Sequence, residues 1–297
     1  MSFTAADVKN LREKTGCGMM DCKKALTETN GDFDKAMDFL REKGLATAEK
    51  KAGRIAAEGM VDILVDGNVG AMVEVNSETD FVAKNEEFQE LVKNIASQVI
   101  ASNPADVDAL LASEFAGSGA TIKDMLTEKI AKIGENMNLR RFARFDGNVV
   151  GYIHMGGRIG VMVNVECADF NDEAKDAARD VAMHIAAMNP AYLDEASVPA
   201  EDLEKEKHFI LAQMKEDPKN ANKPENILEK MLTGKINKFF EQNCVTKQAF
   251  VKDDSLSVEK FLAAKGVKLV DFVRFEKGEG LEKKADDFAA EVASMMK

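Results

Sequence analysis

The sequence is poor in the residues from which enzyme sites and disulfide scaffolds are commonly built. Its 297 residues contain no tryptophan, two tyrosines, three histidines and four cysteines, and no two cysteines form a CxxC pair. The catalytic spacings GxxxxGKS/T, HExxH and GxSxG are absent as well. We therefore expect no metal site, no cofactor and no enzymatic activity, and we expect reduced cysteines. A chain of this kind is expected to act by binding another protein.

Long apolar runs are also missing. No run approaches the ~18 residues that a membrane-spanning helix requires. The N-terminal segment MSFTAADVKN lacks the apolar core of a signal peptide. The sequence therefore predicts a cytoplasmic protein without a membrane partner.

Basic side chains are outnumbered by acidic ones. The net charge is −12, but residues 1–54 hold 11 basic and 9 acidic side chains, a local charge of +2. Nucleic-acid-binding proteins contact the phosphate backbone with clustered Lys and Arg, so the acidic body argues against a direct nucleic-acid partner. The contrast in charge predicts a small N-terminal module followed by an acidic body.

Three short helices are predicted near the N-terminus. Thr4 is placed to cap the first helix, with Asp7 in a capping-box position, and the turn at Gly16 ends this helix. Asp32 caps the third helix, which is expected to end before Gly44. Three helices joined by short turns predict a bundle of the ubiquitin-associated type.

A hairpin followed by a helix occurs twice in the sequence. Residues 67–75 (GNVGAMVEV) align with residues 157–165 (GRIGVMVNV), and each copy continues into a helical pattern that ends at Asn-Pro. A further strand is expected at 267–275. The repeat predicts two related α+β subdomains with antiparallel sheets.

Two amphipathic segments flank the turn at Asn220–Pro224. They predict an inserted antiparallel helical hairpin, which is also a candidate surface for dimerisation. A last helix is expected at about 285–296. The predicted fold class is therefore α+β and multidomain.

Five units are predicted along the chain. They are a three-helix domain at 1–54, a first α+β subdomain at 55–140, a second α+β subdomain at 141–192 and 245–275, the helical hairpin at 193–244, and a C-terminal helical module at 276–297.

Two GxxG sequences leave an RNA-binding alternative open. Residues 67–70 and 157–160 match the motif with which KH domains clamp an RNA backbone. Each is expected in a hairpin turn, where glycine usually serves the turn itself. Arg140, Arg141 and Arg144 form a basic cluster that is expected to make intramolecular ion pairs.

The segment Thr79–Val82 has two interpretations. In one, Thr79 or Ser77 caps a short helix, Asp80 complements the helix dipole and Phe81 packs into the core. In the other, a strand-to-helix loop displays an acid and an aromatic ring to a partner protein. The residues by themselves leave both interpretations open.

Several segments resemble the elongation factor Ts family. Leu11–Leu26 (LREKTGCGMMDCKKAL) resembles its N-terminal signature, and Val73–Lys84 (VEVNSETDFVAK) resembles its second signature. Further resemblance lies at residues 132–136 (KIGEN), 157–160 (GRIG) and 272–280 (FVRFEKGEG). These segments follow one another in the order found in the family and extend over nearly the whole chain.

The resemblance implies a guanine-nucleotide exchange factor. A protein of this family would bind GDP-bound elongation factor Tu and promote GDP release by disturbing the magnesium and phosphate site of that GTPase. The resemblance implies that Asp80 and Phe81 intrude beside the magnesium site of the partner. We therefore expect that the residues dislocating the partner's magnesium are Thr79, Asp80, Phe81 and Val82. The candidates for docking the partner are Leu11, Arg12, Met19 and Met20.

Overall fold

The computed structural model describes residues 3–220 and 223–282. Within these ranges the helices are α1 Ala5–Thr15, α2 Met19–Glu28, α3 Phe33–Lys51, α4 Asp80–Ala83, α5 Glu86–Ser102, α6 Val107–Ala112, α7 Ile122–Ile133, α8 Asp172–Met188, α9 Ala200–Glu216, α10 Glu225–Asn243 and α11 Val258–Ala264. The strands are β1 Glu58–Asp66, β2 Val69–Ser77, β3 Met137–Asp146, β4 Asn148–His154, β5 Ile159–Cys167, β6 Ala249–Phe250, β7 Asp253–Ser257 and β8 Val267–Glu276. The helix expected at 285–296 lies outside the described residues.

The N-terminal helices α1–α3 begin and end largely where the sequence predicts. The Thr4 hydroxyl accepts from the Asp7 N–H, the Asp7 carboxylate accepts from the Thr4 N–H over 2.7 Å, and Gly16 ends α1 at φ +67°. The expected end of α3 before Gly44 is wrong, because the helix continues to Lys51. Gly44 is buried against α7, where a Cβ would lie 3.5 Å from the Ala131 Cβ. A small residue at this crossing allows two helices to pack closely, so the glycine does not act as a stop signal.

Two three-stranded antiparallel sheets form the centre of the molecule, with the orders β1-β2-β3 and β4-β5-β8. Helix α5 packs on the first sheet and α8 on the second, each with a continuous apolar core. Both middle strands shift register at the same position of the repeat, between Glu74 and Val75 in β2 and between Asn164 and Val165 in β5. The fold is α+β with antiparallel sheets, and the repeat in sequence is a repeat in structure.

Strand β3 has no counterpart among the strands expected from the sequence. It pairs with β2 as β8 pairs with β5, and the residues LRRFARFD (139–146) align with LVDFVRFE (269–276). The arginines in the first copy obscure the alternation of apolar side chains, so only comparison with the second copy reveals this strand.

The two sheets pack face to face through glycines at equivalent positions of the repeat. A Cβ at Gly70 would lie 2.8 Å from the Met162 Sδ, and a Cβ at Gly160 would lie 2.9 Å from the Met72 Sδ. The expectation that both GxxG motifs lie wholly in hairpin turns is therefore wrong. Only the first glycine of each motif is in a turn, and the second allows the sheets to approach each other.

Helices α9 and α10 pack against each other around Ile210, Met214 and Ile236. The sequence places Pro199 at the first helical position of α9, where proline is favoured, but the residue lies one position earlier and occupies the N-cap. Within the described ranges, no helix has the length and apolar character needed to cross a membrane.

Candidate functional site

The loop after β2, residues 78–83, is called the Phe81 loop. It places two neighbouring apolar side chains in opposite environments. Val82 is buried and joins the core under α5, whereas the Phe81 side chain is 79% exposed. A single helical turn, α4, carries both residues. The interpretation in which Phe81 packs into the core is therefore wrong, and its ring is accessible on the surface.

A carboxylate from a distant segment holds the start of this turn. Glu135 accepts from the Thr79 backbone N–H over 3.0 Å and from the Thr79 hydroxyl over 2.7 Å. The Ser77 hydroxyl donates to the Thr79 carbonyl over 2.9 Å. Neither Thr79 nor Ser77 therefore caps α4 with its side chain, in contrast to one of the two sequence interpretations. Their hydrogen bonds fix the backbone of the loop.

Glu78 connects the loop to the same distant segment. The Asn136 N–H donates to the Glu78 Oε1 over 2.6 Å, although the two residues lie 58 positions apart in sequence. The Asn136 amide group donates to the Arg54 carbonyl over 2.8 Å. Two of the segments that carry the family resemblance, Val73–Lys84 and Lys132–Asn136, thus lie side by side.

Asp80 is half-exposed beside Phe81. The Lys84 Nζ donates to the Asp80 Oδ2 over 2.7 Å, and this hydrogen bond holds the pKa of Asp80 below its usual value. The same ammonium group lies 5.9 Å from the centre of the Phe81 ring. The turn therefore presents a carboxylate that is ionised at neutral pH next to an accessible aromatic ring.

On β2, the strand that leads into the loop, the side chain of Glu74 is fully buried. Burial by itself would raise the pKa of Glu74, but hydrogen bonds from the Gly278 N–H and from two arginines lower it below its usual value. The Gly278 N–H approaches the Glu74 Oε1 to 2.8 Å. This contact ties the turn after β8 to the middle strand of the first sheet.

The basic cluster forms intramolecular ion pairs, as the sequence predicts. Arg140 approaches the Glu74 carboxylate to 3.0 Å and Arg141 approaches it to 2.6 Å. Arg144 pairs with Asp146 on the same strand. All three guanidinium groups are thereby committed to carboxylates of this chain.

The four expected docking residues do not share one environment. Met19 and Met20 are 54% and 73% exposed at the start of α2, and Arg12 is exposed on α1. Leu11 is fully buried in the core of the three helices. The expectation for Leu11 is therefore wrong as regards its side chain, which supports this surface from below.

The C-terminal end of α7 contacts both the N-terminal helices and the loop. A cleft of about 440 Å³ opens where Gly16 and its neighbours face Lys132. Lys132 also pairs with Glu87 of α5 over 2.8 Å. Lys51 of α3 donates to the Gly134 carbonyl. The Phe81 loop and the N-terminal helices that carry the exposed methionines thus both contact the C-terminal end of α7 and the residues that follow it.

The second copy of the repeat places its aromatic ring differently. Phe170, the counterpart of Phe81, is partly buried and packs against the core of the second sheet. Lys175 lies 5.5 Å from the centre of this ring. Of the two copies, only the first presents a widely exposed phenylalanine.

No group of three or more His, Cys, Asp or Glu side chains within the described residues is arranged to hold a metal ion. The family model described as "Elongation factor TS" matches residues 78–279. This range is more than half of the chain and begins at the Phe81 loop. It includes strand β3 of the first sheet, the whole second sheet and the helical hairpin.

Proposed function

The chain belongs to the elongation factor Ts family, which acts in guanine-nucleotide exchange during translation elongation, and on this premise we propose the following function. The protein binds GDP-bound elongation factor Tu and promotes release of GDP by disturbing the magnesium and phosphate site of that GTPase. The observation that carries the proposal is the Phe81 ring, 79% exposed on a loop with a hydrogen-bonded backbone.

Exchange of this kind follows from thermodynamic linkage. If binding of the factor weakens binding of GDP by some ratio, GDP weakens binding of the factor by the same ratio. The factor therefore need not touch the nucleotide. It must bind better to a conformation of the GTPase in which the phosphate and Mg²⁺ site is disturbed.

Phe81 and Asp80 are proposed to cause that disturbance. An exposed aromatic ring that enters a pocket of the partner is a typical hot-spot anchor. Mg²⁺ demands near-ideal octahedral coordination, so a small shift of its surroundings weakens its binding. In this proposal Phe81 is the wedge, Asp80 displaces contacts that support the metal, and Thr79 and Val82 shape the loop.

Docking is proposed to involve the N-terminal helices. Met19 and Met20 offer flexible apolar side chains that adapt to a partner surface, and Arg12 adds a positive charge nearby. Leu11 contributes through the bundle core rather than through direct contact.

The structure does not favour the RNA-binding alternative. The second glycine of each GxxG motif faces the opposite sheet, and the Arg140–Arg144 cluster is paired with carboxylates. An RNA-binding groove needs exposed basic side chains and stacking aromatic rings. The net charge of −12 also opposes binding to a phosphate backbone.

The test of the proposal is release of fluorescently labelled GDP from purified elongation factor Tu. We expect substoichiometric amounts of this protein to accelerate release, and we expect the protein alone to hydrolyse no GTP. Unchanged release, or GTPase activity that copurifies with the protein, contradicts the proposal.

A further inference from the structure

The position of the Phe81 ring depends on the backbone that carries it. With 79% of its side chain exposed, Phe81 makes few contacts that hold the ring in place. The Lys84 ammonium group 5.9 Å from the ring centre is itself largely exposed and adds little. The orientation of the ring is therefore decided by the backbone, which the buried Val82 anchors on one side of Phe81 and the hydrogen bonds of Thr79 fix on the other.

Glu135 contributes two hydrogen bonds to those residues. Its two carboxylate oxygens accept separately from the Thr79 N–H and the Thr79 hydroxyl, at 3.0 and 2.7 Å. Hydrogen bonds to a charged acceptor are stronger than those between neutral groups. This bidentate contact joins the loop to a segment 56 positions away in sequence.

Glu135 is itself held on both sides. Gly134 ends α7 with φ +86°, and its N–H donates to the Ile130 carbonyl over 2.9 Å. On the other side, the Asn136 N–H donates to Glu78 over 2.6 Å. The carboxylate is therefore presented by a helix end and a paired segment, not by a free loop.

We propose that Glu135 is a positioning residue for nucleotide exchange, which holds Phe81 in the orientation that meets the partner by fixing the backbone of Thr79. This inference rests on the function proposed above. A loop that is already ordered loses less conformational freedom when it docks, so more of the contact energy remains for displacing the metal site. Glu135 need not contact the partner at all.

The first arm of the test uses the free protein and needs no partner. Amide hydrogen–deuterium exchange is measured by mass spectrometry on peptides that cover residues 78–83. We expect Glu135→Ala to speed amide hydrogen exchange there by at least roughly tenfold, since the loss of even one of its two hydrogen bonds to a charged group corresponds to that factor. We expect the rate of amide hydrogen exchange in Glu135→Gln to lie between the rates of the parent and of Glu135→Ala, because the amide oxygen of Gln replaces only one of the two acceptor oxygens. Unchanged exchange in Glu135→Ala overturns the inference.

The second arm measures GDP release at increasing concentrations of each variant. We expect Glu135→Ala to lower the saturating rate by roughly tenfold and to leave the half-saturating concentration nearly unchanged, because docking through the N-terminal helices persists. In a Phe81→Ala background, Glu135→Ala is expected to have almost no further effect, since both changes act through one ring. Glu128→Gln, an exposed acid on α7, is the matched control and should resemble the parent.

The two proposals fail in different ways. If the parent protein does not accelerate GDP release, the proposed function is contradicted. The role of Glu135 in nucleotide exchange then fails as well. A parent that accelerates release while Glu135→Ala acts independently of Phe81 overturns only the positioning role. If a fall in the melting temperature of Glu135→Ala accounts for its whole loss of activity, the positioning role is also overturned, because Glu135 then serves only the stability of the fold.

Discussion

Adjacent residues in the Phe81 loop have opposite roles in the free protein. Val82 fills the core beneath α5 and anchors the turn, while Phe81 projects outward beside Asp80. Burial of a side chain of this size contributes ~1.5–3 kcal/mol to folding, a gain that the exposed ring gives up. An exposed aromatic ring on a fixed backbone is well suited to bind another protein.

Truncation of the exposed ring should separate stability from exchange. We expect Phe81→Ala to change the free energy of unfolding by less than ~0.5 kcal/mol, because few contacts are lost. We expect the rate of GDP release to fall at least tenfold, since a hot-spot side chain contributes ~2 kcal/mol or more. Urea denaturation and labelled-GDP release on the same preparation measure both quantities.

The second repeat supplies the matched control for that change. Phe170→Ala removes the equivalent ring from a partly buried position, so it should cost ~1–3 kcal/mol of folding stability and leave exchange by the folded protein nearly intact. If Phe81→Ala destabilises the protein as strongly as Phe170→Ala while nucleotide exchange stays normal, the Phe81 ring is structural. The proposed role of Phe81 as a wedge in the partner is then refuted.

The buried carboxylate of Glu74 should make stability depend on pH. Its pKa in the folded protein is lower than the 4.5 of an unperturbed Glu, so its contribution is fully present above about pH 4.5 and is lost as the pH falls below that value. At pH 7 we expect Glu74→Gln to cost about 2 kcal/mol, less than for a fully buried pair because Arg140 and Arg141 are partly exposed.

This pH dependence is measured by urea denaturation of the parent and the variant between pH 3 and pH 7. The difference in unfolding free energy between parent and variant should shrink as the pH falls below about 4.5, because the unfolded parent then binds a proton at Glu74 that the folded parent binds only at lower pH. Glu128→Gln, on the exposed side of α7, should track the parent at every pH. If the difference in unfolding free energy between parent and Glu74→Gln stays constant over this range, the pKa of Glu74 is not lowered by folding.

At the scale of elements, α7 and the residues after it connect the proposed docking surface to the proposed wedge. Helix α3 packs on α7 through Gly44 and Ala131, and Lys51 reaches the carbonyl at the end of α7. The next two residues along the chain hold the Phe81 loop. The N-terminal helices are therefore placed relative to the loop by short, direct contacts.

Deletion of residues 1–54 tests whether these helices form a separate docking module. The cut falls just after α3, and the three helices have an apolar core of their own. We expect the remainder to keep its sheets, and we expect binding to elongation factor Tu to weaken at least tenfold. Circular dichroism and a binding titration measure the two effects. Loss of the β signal in the truncated protein would show that the boundary is misplaced.

At the scale of the whole molecule, the two repeats form one body through their sheets. The interface contains Val61, Met72, Val149 and Met162 in its core, and glycines at equivalent positions allow the close approach. The turn after β8 also contacts the first sheet, because Lys277 pairs with Glu58 at the start of β1 and the Gly278 N–H donates to Glu74 of β2. A change in the sheet interface should therefore affect the whole molecule.

Filling that interface should destabilise the protein. We expect Gly160→Ala to cost ~1–3 kcal/mol, because the new methyl group would lie 2.5 Å from the Val61 Cγ1 and 2.9 Å from the Met72 Sδ within a packed interface. Gly234→Ala is the matched control. It lies within α10 with nothing within 4 Å of the added Cβ, so it should stabilise by up to ~1 kcal/mol. Thermal unfolding of both variants measures these effects, and a Gly160→Ala protein as stable as its parent would contradict tight packing here.

The sequence by itself determined the features that depend on neighbouring residues. The capping box of Thr4 and Asp7, the turn at Gly16 and the hairpin of β1 and β2 each arise from side chains a few positions apart. The internal repeat was also evident from the sequence, because both hairpins form equivalent sheets that pack against a helix and therefore have the same alternation of apolar residues. For this reason the ends of α1, the α+β class and the family resemblance were evident from the sequence alone.

Only the tertiary structure decided which apolar side chains are buried and which carboxylates are paired. Leu11 and Met20 both suit a helix face, yet one is fully buried and the other is 73% exposed. Glu135 has no local signal that connects it to Thr79, because the hydrogen bonds span 56 positions. Local patterns specify the conformation of a segment, whereas its contacts depend on which distant segments pack against it, and the exposure of Phe81 is a consequence of that packing.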